Sequence, residues 1–210
     1  MFAVVPAAGH SRRMGQPKLL VRIGGESIIR RLVGALQAGG VTSVSVLVRE
    51  ADLDLQAELA GSGARVVLTP DTPDMRASVA TLLGVIQQED APQPEDSWLL
   101  APADHPFLSA QVVSDLLAAR QPGDAGILVP VHAGRRGHPT CFAWGLAARV
   151  AAMPAGQGIN QLLCDGSVHV REVPTGFADV LTDLDTPDDL ERLRQRLESY
   201  GEPVCDERDR

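Results

Sequence analysis

The chain has 210 residues, 44% of them hydrophobic, a net charge of −8 and a pI near 5.1, which is material for one buried core within a soluble domain. The acidic balance argues against general affinity for nucleic acid or anionic membrane, so a phosphorylated ligand must be met by a local basic focus. No run of 18 apolar residues and no basic-then-apolar leader is found, so no membrane is expected and the cytoplasm is the expected compartment.

Three cysteines, Cys141, Cys164 and Cys205, are odd in number and widely spaced, which suits neither a disulfide framework nor a Cys-x-x-Cys zinc site. They read as reduced, structural thiols. Aromatic residues make up 3% of the chain, too few for a platform that stacks single-stranded bases.

The first informative stretch runs from Val4 to Leu20, an apolar run opening into a loop of small residues and cations. Ala7, Ala8 and Gly9, followed by His10 and Ser11, let backbone amides approach an anion at the end of a first strand. Gly15 and Pro17 would bend the loop so that Arg13 and Lys18 face the same space. Neither the P-loop spacing nor Gly-x-Gly-x-x-Gly is present. Of 19 basic residues, 18 are arginine and the single lysine is Lys18. A flexible point charge suits phosphate oxygens whose charge shifts during reaction, and Arg12, Arg13, Lys18 and Arg22 together form the expected basic focus.

Residues 26–36 carry apolar side chains at helical spacing and end at Gly39-Gly40, which predicts a first crossover helix. Residues 43–48 and 65–68 read as strands, with a short helix over 52–59 between them. This βαβ rhythm predicts a parallel sheet covered on both faces. A turn-rich link then leads into a helix over 75–88, whose Val79, Leu82, Leu83 and Ile86 form one stripe.

Residues 98–102 predict a buried central strand, and Asp104 follows its carboxyl end, where ligands of open α/β sheets bind. A carboxylate there, facing the phosphate loop, suits Mg²⁺, which takes few carboxylates plus waters and substrate phosphates. Ser109 serves better than Asp104 as the next helix cap, and His105 reads as a hydrogen-bonded support rather than a base.

Residues 126–131 predict another strand, then a cationic loop, His132 to Thr140. It is either a solvated turn with Pro139 opening an edge strand or an acceptor site. Residues 145–153 and 160–163 read as helices joined by a glycine-rich hinge, and 168–173 as a half-exposed strand. Thr186 caps a last helix with Pro187 at its first position and Asp188 and Asp189 near its positive end. Asp183 and Asp185 precede that cap and, alternating with Leu184, share a side. Residues 201–210 form a charged tail expected to be disordered, leaving 1–200 as the domain.

Ala7-Ala8-Gly9-x-Ser11-x-Arg13-Met14-Gly15-x-Pro17-Lys18 resembles the signature loop of the MobA-like NTP transferase family, above all its molybdenum cofactor cytidylyltransferases. With the downstream matches, the resemblance spans residues 3 to about 195. It implies an α/β fold: a single-domain, three-layer α/β/α architecture with a mostly parallel Rossmann-like sheet of the nucleotide-diphospho-sugar transferase type and a small β insertion. Relatives carry Gly-Met-Ser-x-Ser where this chain has Asp74 to Ser78. Met75 and Ser78 are the matching positions for nucleotide contact, with a plain helix-surface role for Ser78 as the alternative. The resemblance makes Asp185, directly before Thr-Pro, a second metal ligand, and the Gly-x-x-Gly-His-Pro pattern places Gly137 and His138 near the acceptor.

The implied reaction is Mg²⁺-dependent transfer of CMP from CTP to molybdopterin carrying molybdenum, with Lys18 and Arg13 neutralising charge and pyrophosphate leaving. The expected recipient is a molybdenum hydroxylase or its maturation factor. Ala7-Ala8-Gly9 favours CTP, since guanylyl-transferring relatives usually show Ala-Gly-Gly there; transfer of GMP or another nucleotide is the alternative. A cofactor carrier without turnover is the alternative from a different class. A hydrolase is disfavoured because no nucleophile with a neighbouring base is evident.

Overall fold

The computed structural model describes residues 1–11, 13–121 and 126–199, with side chains described as far as 195; the predicted tail at 201–210 and Arg12 lie outside these residues. Its backbone begins with β1 (Phe2–Pro6), which pairs in parallel with β4 (Ser43–Arg49) and β6 (Ser97–Leu100). Beyond β4, β5 (Arg65–Thr69) forms one edge. On the other side β9 (Thr140–Ala143) runs antiparallel between β6 and β7 (Ile127–His132), and β10 (Val170–Pro174) pairs in parallel with β7. The order across the sheet is therefore β10-β7-β9-β6-β1-β4-β5, with β8 (Arg135–Arg136) attached to the end of β7.

Strand alternation sorts the apolar side chains into two cores. Ala3 and Val5 of β1, Val44, Val46 and Val48 of β4, Leu99 of β6 and Cys141 of β9 face one side. Val4, Leu47, Trp98, Leu100 and Phe142 face the other. The first core is covered by α1 (Ile28–Ala38), α2 (Leu53–Leu59), α4 (Ala110–Ala119) and α7 (Pro187–Ser199). The second is covered by α3 (Met75–Glu89), α5 (Ala147–Ala152) and α6 (Gln161–Cys164). Trp98 and Phe142, direct partners across β6 and β9, stack with ring centroids 4.2 Å apart. The three-layer arrangement expected from the βαβ rhythm is therefore present, with β9 and the short β8 reversed.

Three local expectations change. The helix read from Glu26 begins at Ile28, because Gly24 and Gly25, both at positive φ, turn β2 (Arg22–Ile23) back onto β3 (Glu26–Ser27). Ser27 then caps α1 by accepting a bond from the Arg30 amide. Thr140 to Phe142 form no edge strand but lie between β6 and β7, fully covered by both cores. Cys164 is exposed rather than packed, whereas Cys141 is buried in the sheet. No helix among the described residues is long and apolar enough to cross a membrane.

Candidate active site at the carboxyl end of the sheet

The parallel strands β1, β4, β6 and β7 all present their carboxyl ends to one rim, and the loop after β1 leads it. The Ala7 amide donates to the Leu47 carbonyl, extending the β1–β4 ladder, and Ala7 and Ala8 are buried. Ser11 takes a positive φ of 49°, uncommon outside glycine, and Gly15 one of 66°. The Met14 amide bonds the Ser11 carbonyl, and the Met14 side chain is sunk in the core. The chain thereby reverses and enters a single 3₁₀ turn, Lys18–Leu20, pinned by buried Leu19. Below the loop lies a cavity of about 390 Å³ lined by Ala7, Gly9, Ser11, Pro17, Arg49 and Asp52.

Lys18 reaches two acids from distant parts of the chain. Its Nζ donates to Asp104 Oδ2 at 2.7 Å and to Asp185 Oδ1 at 3.0 Å. The other oxygen of Asp185 meets an Arg13 guanidinium nitrogen at 2.8 Å. Lys18 is 16% exposed and the two carboxylates about a quarter exposed, whereas Arg13 is 72% exposed at the rim. Burial alone would lower the Lys18 pKa, but the attraction of Asp104 and hydrogen bonds to Asp104 and Asp185 outweigh it and raise the value above its ordinary 10.5. The ammonium therefore stays charged at any physiological pH.

The two acids reach it from distant segments joined by backbone bonds. Ala101 N donates to Val4 O, carrying β6 pairing toward Asp104, and Leu184 N donates to Asp104 O at 2.9 Å. That last bond ties the segment carrying Asp185 to the segment carrying Asp104. Arg31 of α1 donates to the Pro106 carbonyl and lies over the Phe107 ring, so a helix cation steadies the loop after Asp104. Its role was not legible in the sequence, where Arg31 looks like any polar position on α1.

Beside the acids, His105 and His138 meet edge-to-face with ring centroids 5.2 Å apart. Burial is the main influence lowering the His105 pKa, opposed by Asp104 and Asp183. Burial followed by repulsion from His105 lowers His138 to about 4. Both rings are neutral at pH 7. Each is also held by a backbone carbonyl, His105 by that of Asp179 and His138 by that of Leu100.

The structure thus brings Lys18, Arg13, Asp104, Asp185 and, through His105, His138 together. Other predicted site residues are placed differently. His10 reaches Asp71 at 3.5 Å, linking the first loop to the one after β5. Ser78 is buried, not on the helix surface: its hydroxyl shares a 2.8 Å bond with Thr72 Oγ1 and donates to the Asp74 carbonyl. Met75 is half exposed at the start of α3. The Gly137 amide donates to Pro130 O, and a Cβ there would lie 2.3 Å from Val180 O. Its position is set by close packing. Nor does the basic focus gather as expected, since Arg22 turns to Glu58 and the Gly25 carbonyl.

Among the described residues no group of three or more His, Cys, Asp and Glu side chains is placed to hold a metal. Asp104 and Asp185, converging on one cation, are instead the sparse oxygen set that Mg²⁺ accepts when waters and substrate phosphates complete its shell. A larger cavity of about 720 Å³ lies by α5 and α6, lined by Arg149, Met153, Gln157 and Cys164 and by none of these residues.

Residues 3–170 match the MobA-like NTP transferase domain. A molybdenum cofactor guanylyltransferase of Rhodopseudomonas palustris (strain BisB5) is 35% identical over 144 residues, which are 68% of this chain and 65%, just under two thirds, of that protein. Among solved structures, Rv0371c of Mycobacterium tuberculosis H37Rv superposes with a TM-score of 0.80 at 24% identity, covering 93% of this chain and 98% of that one. A complex of Rv0371c with manganese superposes with a TM-score of 0.74 at 23% identity, over 92% and 97% of the two chains. At these identities the structural likeness concerns the fold.

Proposed function

Since the chain belongs to the MobA-like NTP transferase family, we propose that it transfers CMP from CTP to a molybdopterin-type acceptor carrying molybdenum. The observation carrying this reading is the pair of hydrogen bonds from Lys18 Nζ to Asp104 and Asp185, acids 86 and 167 residues away in sequence. Such convergence at the strand ends is what a transfer between phosphates requires.

An ionised acceptor phosphate needs no strong base. One of its oxygens attacks the α-phosphorus of the triphosphate in line, a new P–O bond forms, and the bond to the β-phosphate oxygen breaks as pyrophosphate leaves. Catalysis then reduces to positioning and charge stabilisation. Amides of Ala8 to Ser11 cradle the triphosphate, with Met75 and His10 on its flank. Lys18 and Arg13 supply positive charge toward the phosphate oxygens. Asp104 and Asp185 would hold Mg²⁺, which when bound draws charge from the phosphates. His138, neutral and half-buried, presents an uncharged wall toward the acceptor side. The manganese complex of Rv0371c supports a divalent ion in this fold.

A second reading exchanges the nucleotide: the relatives named molybdenum cofactor guanylyltransferase favour GTP, whereas Ala7-Ala8-Gly9 favours CTP. Incubation with Mg²⁺, molybdenum-loaded molybdopterin and each triphosphate in turn decides between them. Pyrophosphate release with CTP is the expected result, and release confined to GTP replaces the donor. Tight nucleotide binding with no release from any triphosphate contradicts the enzyme and leaves a carrier that hands the cofactor to a molybdenum hydroxylase.

A further inference from the structure

Asp189 has the look of an ordinary helix cap. It occupies the third position of α7, and its amide donates to Thr186 Oγ1 at 3.2 Å while its Oδ2 accepts from the Thr186 amide at 2.7 Å. That reciprocal pair is a capping box, and it accounts for a Thr and an acid three residues apart. It does not account for a further bond. The same Oδ2 also accepts from the Asp185 amide at 3.1 Å, one residue outside the cap, as well as from the Thr186 hydroxyl at 2.8 Å. Arg192, one turn on, pairs with the remaining oxygen of Asp189 and anchors the carboxylate from the solvent side.

Three donors from Asp185 and Thr186 therefore converge on one oxygen. The backbone they fix is the one from which the Asp185 side chain reaches Lys18 and Arg13. The other end of this short segment is fixed too, by the bond from Leu184 N to Asp104 O. Asp185 is thus held on both sides, by Asp104 ahead of it and by Asp189 behind it.

We infer that Asp189 is a positioning residue that sets the Asp185 carboxylate opposite Asp104, so that the two acids form a divalent-cation site. The inference rests on the reading of Asp185 as a metal ligand. Groups that orient ligating residues commonly account for about 10–100-fold of metal affinity when removed. A cap alone has a different consequence: its loss lowers helix stability without singling out the metal.

Four variants of the full chain separate these roles, with Mn²⁺ alone as the probe, free ion followed by electron paramagnetic resonance, and thermal unfolding recorded alongside. Asp189→Asn is expected to weaken Mn²⁺ binding about 10–100-fold. Thr186→Ala removes the cap hydroxyl but leaves the Asp189 bond to the Asp185 amide, and is expected to lower the unfolding temperature with Mn²⁺ affinity within about threefold of wild type, well short of the second-sphere effect. Asp188→Asn, at an exposed neighbouring position of the same helix end, is expected to leave Mn²⁺ affinity unchanged and to lower the unfolding temperature slightly through the lost charge at the helix start. Asp185→Asn is the reference for loss of a ligand. Equal losses of Mn²⁺ affinity in Thr186→Ala and Asp189→Asn would reduce Asp189 to a cap. Loss in Asp185→Asn with none in Asp189→Asn would overturn the positioning role alone. Unchanged binding in Asp185→Asn would overturn the metal reading and this inference with it.

Discussion

Two groups of titratable side chains sit next to each other at the carboxyl end of the sheet and handle charge in opposite ways. Lys18 pairs with Asp104 and Asp185, and Arg13 with Asp185, so that opposite charges meet across segments far apart in sequence. His105 and His138, packed against the same Asp104, avoid charge through burial. A carboxylate pair held by cations is ready to exchange partners with incoming phosphates and metal. A neutral pair packed edge-to-face is ready only to give shape. The difference teaches that the rim is divided into a part that changes its ionic partners and a part that does not.

Breaking the charged part should have the largest effect. Lys18→Ala is expected to lower turnover by roughly 10²–10³-fold, as removal of a single charge-stabilising donor does, with correct folding confirmed by circular dichroism. If turnover is normal, the ammonium has no part in the reaction. Lys18→Arg sharpens the point: a planar fork replaces a point charge between two acids, so charge is kept and turnover is still expected to fall.

Breaking the neutral part should instead act on stability. Gly137→Ala would drive a Cβ into Val180 O, a backbone atom that cannot rotate aside, at an expected cost of roughly 1–3 kcal/mol measured by urea unfolding. His138 supplies a pH test of the same region. Above pH 6.5 the ring is neutral folded or unfolded. Below 6.5 the unfolded chain takes up a proton that the folded ring refuses until about 4, so stability is lost as pH falls through that window, by up to about 3 kcal/mol. His138→Gln is expected to flatten this slope; an unchanged slope would place its origin elsewhere.

The smallest expected effect belongs to the rim. Arg13→Ala removes an ion pair whose guanidinium is mostly exposed, so stability should move by less than about 1 kcal/mol, while KM for the triphosphate should rise. A large loss of stability would mean that Arg13 is structural.

The frame of this molecule was written in local signals. Apolar runs with Val and Ile, separated by helices with an apolar stripe, announce βαβ units wherever they occur, and Lys18 was marked by its loop and its rarity. The reversal of β9 was not legible, since Thr140 to Ala143 is buried throughout and such a short run carries no direction. The hairpin at Gly24-Gly25 was hidden by helix-like spacing that starts two residues too early. Asp104 was marked by following a buried strand, and Asp185 chiefly by resemblance, because nothing in spacing reports that distant segments are joined by one bond from Leu184 to Asp104. The present partners of Gly137 and Ser78, Pro130 O and Thr72 Oγ1, were not legible either, because a short polar motif does not disclose what its groups bond within the fold. Asp189 was masked by its own good fit as a cap.

The most direct measurement is pyrophosphate release from CTP and the molybdenum-loaded acceptor as Mg²⁺ is titrated, comparing wild type with Asp104→Asn. Loss of one of two carboxylates should raise the Mg²⁺ concentration for half-maximal rate and lower the maximal rate together. Identical Mg²⁺ curves for the two proteins would contradict a metal-assisted centre built on Lys18, Asp104 and Asp185.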